Sequence, residues 1–279
     1  MSLIAEAASW FDSTAEQYHA DPADSFSTLR DYDTNPELYY LRHIRRTHPR
    51  ETADALEFGT AFHCAVLEPE RFDSQYIVPP KFNRHSKAGR AEEAAWLEAH
   101  SANRVIDKHD LEKLRRMQAS VLDNPRARQY VEQALHRERG IKWTCGETGL
   151  PLRARPDIVG PGYVANLKTT RDILPHKFRA SVRDHRYDAQ AAMDLEAVAS
   201  LVQAEFRHVL IAVEKTAPWE CAIYRLVSDA LENGRNWQRR VRATLRASKE
   251  FDHWKSPRWN VETPLALTRW EMGDLFCDE

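Results

Sequence analysis

Apolar residues recur at helical spacing over much of the first half of the chain and at every second position in a block near its middle. Between Asp54 and Leu67, the residues Phe58, Phe62 and Val66 fall four apart, which predicts an amphipathic helix closed by Pro69. Upstream, Ser25 stands as an N-cap before Phe26-Ser27-Thr28-Leu29-Arg30, and a further helix is expected to end near His48-Pro49. Residues 70–90, with Pro79-Pro80 and a basic stretch from Lys81 to Arg90, hold little periodicity and are expected to form an exposed loop. Helical patterning returns at 91–100, at 107–122, and from Asn124-Pro125 to about Leu135, so the first fifty residues read as a helical lead-in and residues 1–135 as a mainly helical N-terminal part.

After that the period changes to two. Ile141 and Trp143 alternate with polar neighbours, residues 146–149 read as a turn, and Leu150, Leu152 and Ala154 alternate with Pro151, Arg153 and Arg155. Gly160-Pro161-Gly162 is a turn signal, and Tyr163 to Thr169 forms a third strand candidate. A helix from about Tyr187 to Gln203, an apolar run from Val209 to Val213, a strand from Cys221 to Val227 and a helix from Ser228 to Lys249 follow. The order of elements predicts an α/β fold with a central mixed sheet flanked by helices. Residues 251–279 form a tail whose Trp254, Trp259 and Trp270 are expected to pack onto the core.

Composition narrows the setting. No apolar run approaches the roughly 20 residues of a membrane span, and the first residues carry no export signal, so a cytoplasmic, membrane-free protein is expected. Cys64, Cys145, Cys221 and Cys277 lie far apart and form no metal-binding or disulfide framework. A net charge of −2 excludes recognition of nucleic acid by bulk charge, so any such footprint must be local. One segment qualifies: between 168 and 186, Lys168, Arg171, Lys177, Arg179, Arg183 and Arg186 face only Asp172 and Asp184. Phosphate contacts are expected from it, against the plainer reading of a solvated face.

Period-two geometry sends Asn166 and Lys168 out of one face of their strand and Ala165 and Leu167 out of the other. Asp157, expected at the end of the preceding strand, can approach the same place across the Gly-Pro-Gly connection. The resulting pattern, PD-x8-NxK, is close to the PD-(D/E)xK signature of restriction-endonuclease-like nucleases. Phosphodiester hydrolysis needs charge neutralisation and an activated water, which carboxylates holding one or two Mg²⁺ or Mn²⁺ ions supply. Asp157, the residue at 166 and the Leu167 carbonyl are candidate metal ligands, with His63 completing the shell if Mn²⁺ is accepted. Lys168 would orient the water or stabilise developing charge.

Four segments widen the pattern: FGTAFHCAVLEPERF at 58–72, GIKWTCGETGLPLRARPDIV at 140–159, VANLKTTRD at 164–172 and YDAQAAMDLEA at 187–197. Together, and in this order, they resemble the RecE-like exodeoxyribonuclease (exonuclease VIII) family over most of residues 20–230. The resemblance implies a metal-ligating His63, an acid at Glu138, metal-binding Asp157 and catalytic Lys168, with Tyr187 and Gln190 in the motif after the lysine strand and available to substrate. It further implies a single nuclease domain over 1–279, with its catalytic core at 136–250. Its activity would be metal-dependent 5′→3′ degradation of linear double-stranded DNA from its ends, in recombination. A homo-oligomeric ring and a single-strand annealing protein as partner follow from the same likeness.

Two positions depart from that family: Asn166 stands where it has aspartate, and Asp194 where it usually has an aromatic residue. The second is expected to be neutral. The first removes a full charge from the ligand set, and a unit charge pair at 4 Å is worth roughly 4 kcal/mol at an effective dielectric of 20. The sequence alone therefore predicts a nuclease impaired by Asn166, or else a catalytically inactive DNA-binding module on the same scaffold.

Overall fold

The computed structural model describes residues 8–49, 54–256, 258, 260–262 and 264–266. The chain begins with β1 (Ser9–Phe11), α1 (Ala15–Ala20), α2 (Phe26–Thr34) and α3 (Pro36–Tyr39), which runs into a π-turn at Tyr40–Ile44. Next come α4 (Asp54–Leu67), α5 (Pro69–Gln75), β2 (Tyr76–Ile77), α6 (Lys87–Ala99), β3 (Arg104–Val105), α7 (Lys108–Asp123) and α8 (Pro125–Glu132). The sheet region holds β4 (His136–Arg137), β5 (Gly140–Thr144), β6 (Pro151–Ala154), β7 (Ile158–Gly160) and β8 (Tyr163–Thr170). Then follow α9 (Pro175–His185), α10 (Tyr187–Leu201), β9 (Arg207–Glu214), β10 (Cys221–Arg225) and α11 (Ser228–Phe251).

The central sheet has the order β10-β9-β8-β7-β4 and is mixed: β8 and β9 run parallel, the other neighbours antiparallel. A parallel pair needs a crossover, and α9 and α10 provide it. One face of the sheet packs Ile158, Ala165, Leu167, Val209 and Ile211 against α4, α7 and α8. The other presents Val159 and Val164 to α10 and α11, together with Leu29, Tyr32 and Tyr39 of the N-terminal helices and the inner residues of β5 and β6. Each β8 residue thus faces one of two helical layers, which is the alternation expected from its sequence. This is the α/β architecture of a PD-(D/E)xK nuclease fold, with a central mixed sheet flanked by helices.

Several expectations are corrected. α4 does end at Leu67, just before Pro69, but Pro69 occupies the first turn of a new helix, α5, where its missing N–H costs nothing, so the expected loop at 70–90 shrinks to the stretch between β2 and α6. The first 135 residues are not wholly helical, since β1 joins the β1-β5-β6 sheet and β2 pairs with β3. Helical structure before α4 ends at Ile44 rather than near Pro49. The basic segment after β8 contains α9, whose Phe178 and Val182, one turn apart, pack on Leu210 and Ala212. Arg153 does not face solvent: it is 2% exposed, lies over the Tyr18 ring and donates to the carbonyls of Asp21 and Ala23.

Trp254 stacks on Tyr39 and Tyr40, as expected for the tail; Trp259 and Trp270 lie outside the described residues. Cys64, Cys145 and Cys221 are unpaired, and Cys277 also lies outside the described residues. Among the described residues no helix is long and apolar enough to cross a membrane.

The contact between α10 and α11 depends on Gly234. A Cβ there would fall 2.3 Å from the carbonyl oxygen of Asp188 and 2.9 Å from the amide nitrogen of Ala189. Both obstacles are backbone, so relief requires the helices to separate. Gly234→Ala is expected to destabilise the protein by about 1 to 3 kcal/mol, although alanine is the better helix former. Denaturant melts measure this, and a variant more stable than the parent would show that the helices do not pack this closely.

Candidate active site

The chain passes twice between the central sheet and the three-stranded sheet, once in each direction. β6 ends at Ala154 and β7 begins at Ile158, while β4 ends at Arg137 and β5 begins at Gly140. The short links carry Arg155-Pro156-Asp157 and Glu138-Arg139. Asp157 therefore leads into β7 rather than closing the strand before it. At the bend Glu138 adopts φ +48°, its amide nitrogen donates to the Asp157 carbonyl at 3.0 Å, and Arg155 Nε donates to the Glu138 carbonyl at 2.7 Å. A left-handed non-glycine residue costs conformational energy, so this strain is held at the site by its neighbours. The result is that both carboxylates leave the bend toward one cleft.

His63 reaches that cleft from α4. Its Nδ1 lies 3.4 Å from Asp157 Oδ2 and 3.6 Å from Glu138 Oε1. Burial by itself lowers the His63 pKa, but Asp157 and Glu138 outweigh it and push the imidazole up to about 10. Burial likewise works against ionisation of Asp157, and His63, Lys168 and the Leu167 N–H overcome it, holding the carboxyl below the usual aspartate range. The Leu167 amide donates to Asp157 Oδ2 at 2.7 Å, which ties β8 to the bend. Arg155 Nε stands 3.0 Å from Glu138 Oε2 and fixes the second carboxylate.

Lys168 enters from β8 on the α10 side. Its ammonium donates to Gln190 Oε1 at 2.9 Å and lies 4.6 Å from the centre of the Tyr187 ring. Burial is the largest influence on it and brings its pKa below the ordinary lysine value, against the pull of Asp157, Asp194 and Glu138. Asn166 emerges on the same face, 1% exposed, with Oδ1 accepting from the Asp157 amide at 3.3 Å and Nδ2 donating to Asp194 Oδ2 at 2.7 Å. The amide cannot be turned over, because its oxygen would then face a carboxylate and its nitrogen an N–H.

The structure thus brings His63, Glu138, Asp157, Leu167, Lys168, Tyr187 and Gln190 into one cleft of about 670 Å³, with Asn166 buried directly behind it. Apart from Lys168, it does not bring the basic residues of 168–186 there. Arg171 and Lys177 are exposed outside the cleft, Arg183 pairs with Asp184, and Arg186 lies over Trp237 beside Asp188. The cations that line the cleft are instead Arg71, Arg104, Arg155 and Lys215 beside Lys168. Gln190 holds the lysine, rather than standing open to a phosphate. Sequence reasoning missed Arg155, whose signal was its place next to Pro156-Asp157, and gave no weight to Asp194.

His63, Glu138 and Asp157 offer ligand atoms within 4.8 Å of one another. Adjacent ligands on an octahedral ion with bonds of about 2.1 Å stand roughly 3.0 Å apart, so a small inward movement suits this trio to one divalent cation. Two carboxylates favour a hard ion, and the imidazole tilts the choice toward Mn²⁺ or another transition metal over Mg²⁺.

The fold is shared with a crystal structure from Eubacterium rectale described as a "Putative exonuclease", with a TM-score of 0.63 and 13% sequence identity over 94% of this chain and 98% of that one. No curated protein matches the chain. The model of one family covers residues 25–256, which include the bend, His63, Lys168 and α11. The chain therefore belongs to the family of the PDDEXK-like domain of unknown function (DUF3799).

Proposed function

We propose that the protein is a divalent-metal-dependent nuclease that hydrolyses the phosphodiester bonds of DNA. The observation that carries this reading is the convergence of His63, Glu138 and Asp157 on one point, with the Lys168 ammonium in the same cleft. A cation bound by these three would neutralise charge on the scissile phosphate and lower the pKa of a bound water. Asp157 and Glu138 hold that position through the bend and Arg155. Gln190 and the Tyr187 ring hold Lys168 where it can orient the attacking water or meet charge developing on the phosphate. Arg71, Arg104 and Lys215 give the cleft further positive charge for the flanking backbone.

The finer reading is a RecE-like exonuclease. It rests on the four motif segments and is supported by the description of the E. rectale structure. On this reading linear double-stranded DNA is degraded 5′→3′ from its ends, a homo-oligomeric ring encloses the duplex, and a single-strand annealing protein takes the product into recombination. Mg²⁺ or Mn²⁺, as one ion or two, is the cofactor.

Linear duplexes labelled at either 5′ or 3′ ends, with closed circular DNA as control, test both levels. Mg²⁺ or Mn²⁺ should release mononucleotides from linear DNA only, and chelation should stop the reaction. Endonucleolytic products from the circle would remove the exonuclease reading. DNA binding without cleavage in either metal would instead select the inactive module.

A further inference from the structure

The carboxylate absent from position 166 stands next to it. Asp194 projects from α10 toward the back of β8, is 3% exposed, lines the cleft with Asp157 and Lys168, and accepts from Asn166 Nδ2 at 2.7 Å. The two departures from the RecE-like pattern, a lost acid at 166 and a gained one at 194, are therefore in direct contact. We propose that Asp194 supplies from the helix the negative charge that the strand lacks, and that the Asn166–Asp194 pair acts as one unit toward the cation. This inference rests on the nuclease reading of the cleft.

The geometry gives the unit a physical route. The carboxylate draws on the Asn166 N–H, which shifts electron density through the amide onto Oδ1. That oxygen accepts only one long bond, from Asp157 N at 3.3 Å, and keeps a second lone pair. Charge on Asp194 reaches the site directly as well: after Asp157, it acts on the Lys168 ammonium more strongly than Glu138 does. Tyr18 also feels the Asp194 charge, and His208 of β9 stands beside it, fully buried, with Nε2 at 3.8 Å and neither ring nitrogen hydrogen-bonded. Asp194 is a positioning and charge-supplying residue in this scheme, acting through Asn166. A chain with this pair is active as it stands.

The test is a charge exchange. Mn²⁺ binding is measured by calorimetry and by metal-induced thermal shift, without DNA, for the unsubstituted chain, Asp194→Asn, Asn166→Asp and the double exchange N166D/D194N. Cleavage of linear duplex is measured in parallel. Asp194→Asn should keep the metal-free melting point, since asparagine still accepts from Asn166, yet bind Mn²⁺ roughly tenfold or more weakly. The double exchange should restore affinity to near that of the parent, because the charge returns to the strand. Asn166→Asp alone should lower the metal-free melting point by crowding two buried carboxylates.

Equal Mn²⁺ affinity in Asp194→Asn and the parent would overturn the proposal, as would a double exchange no better than Asp194→Asn or a parent that binds no Mn²⁺. Failure of the nuclease reading is distinct: no variant would cleave DNA, yet the affinities would still follow the charge. Cleavage by the parent with Asp194→Asn unimpaired in both readouts would remove the role of Asp194 alone.

Discussion

Asp157→Asn is expected to abolish Mn²⁺-induced stabilisation and to lower DNA cleavage about a thousandfold while leaving the metal-free fold in place. The isosteric amide can still accept from the Leu167 N–H, the bond of 2.7 Å that joins β8 to the bend. What is lost is one charge among the three groups that converge on the candidate cation position. At 4 Å and an effective dielectric of 20 that charge is worth roughly 4 kcal/mol, which corresponds to about three orders of magnitude in rate or affinity. Asp157→Ala is a poorer test, because it also leaves the Leu167 N–H without its acceptor and confuses metal loss with unfolding. Thermal shift with and without Mn²⁺, set beside the cleavage rate, separates these effects. A variant that keeps either the Mn²⁺ shift or parental cleavage would place the cation elsewhere.

How much of this was legible depends on whether a residue's role is local. The alternation in β8 put Asn166 and Lys168 on a common face, and the four-residue spacing in α4 located the helix that carries His63. These are periodicities that one element expresses alone. Glu138 came from the family likeness, because its position depends on β4 and β7, pairing over only two residues, which leave no pattern in so short a stretch. The basic run after β8 looked like a phosphate-binding surface because charge is visible in a sequence and direction is not. In the folded chain α9 turns Phe178 inward and its cations outward, away from the cleft. Asp194 carries no signal in the sequence for the same reason: twenty-eight residues separate it from Asn166, and only the packing of α10 on β8 makes them a pair.

The N-terminal helices do more than lead into the core: the largest expected loss of stability lies there, at Asp24. This aspartate is 1% exposed; its Oδ1 accepts from Tyr39 Oη at 2.7 Å and Thr28 Oγ1 at 3.1 Å, and its Oδ2 from Lys249 Nζ at 2.7 Å. Burial, and after it the Asp24 carboxylate, raise the Tyr39 pKa, so the phenol remains a donor. One side chain thus ties α2 and α3 to α11. Its backbone meanwhile bridges to β6, donating to the Pro151 carbonyl at 2.9 Å and accepting from the Arg153 amide at 2.8 Å.

Asp24→Ala leaves the buried Tyr39 hydroxyl without an acceptor and an ammonium, 26% exposed, without its counter-charge, while Thr28 Oγ1 keeps the Ser25 carbonyl at 3.0 Å. Breaking a fully buried ion pair from one side costs about 3 to 5 kcal/mol; because Lys249 can reach water, the lower end applies, about 3 kcal/mol. For a domain of this size that is a fall of roughly 6 to 12 °C in Tm. Asp24→Asn, which keeps an acceptor for Tyr39 and Thr28 and loses only the charge, should recover about half of it. Because β6 runs directly into Arg155 and Asp157, loosening this anchor should also lower cleavage at temperatures where the protein is still folded. A loss below about 1 kcal/mol in denaturant melts, with cleavage unchanged, would show instead that the first helices are an appendage on which the site does not depend.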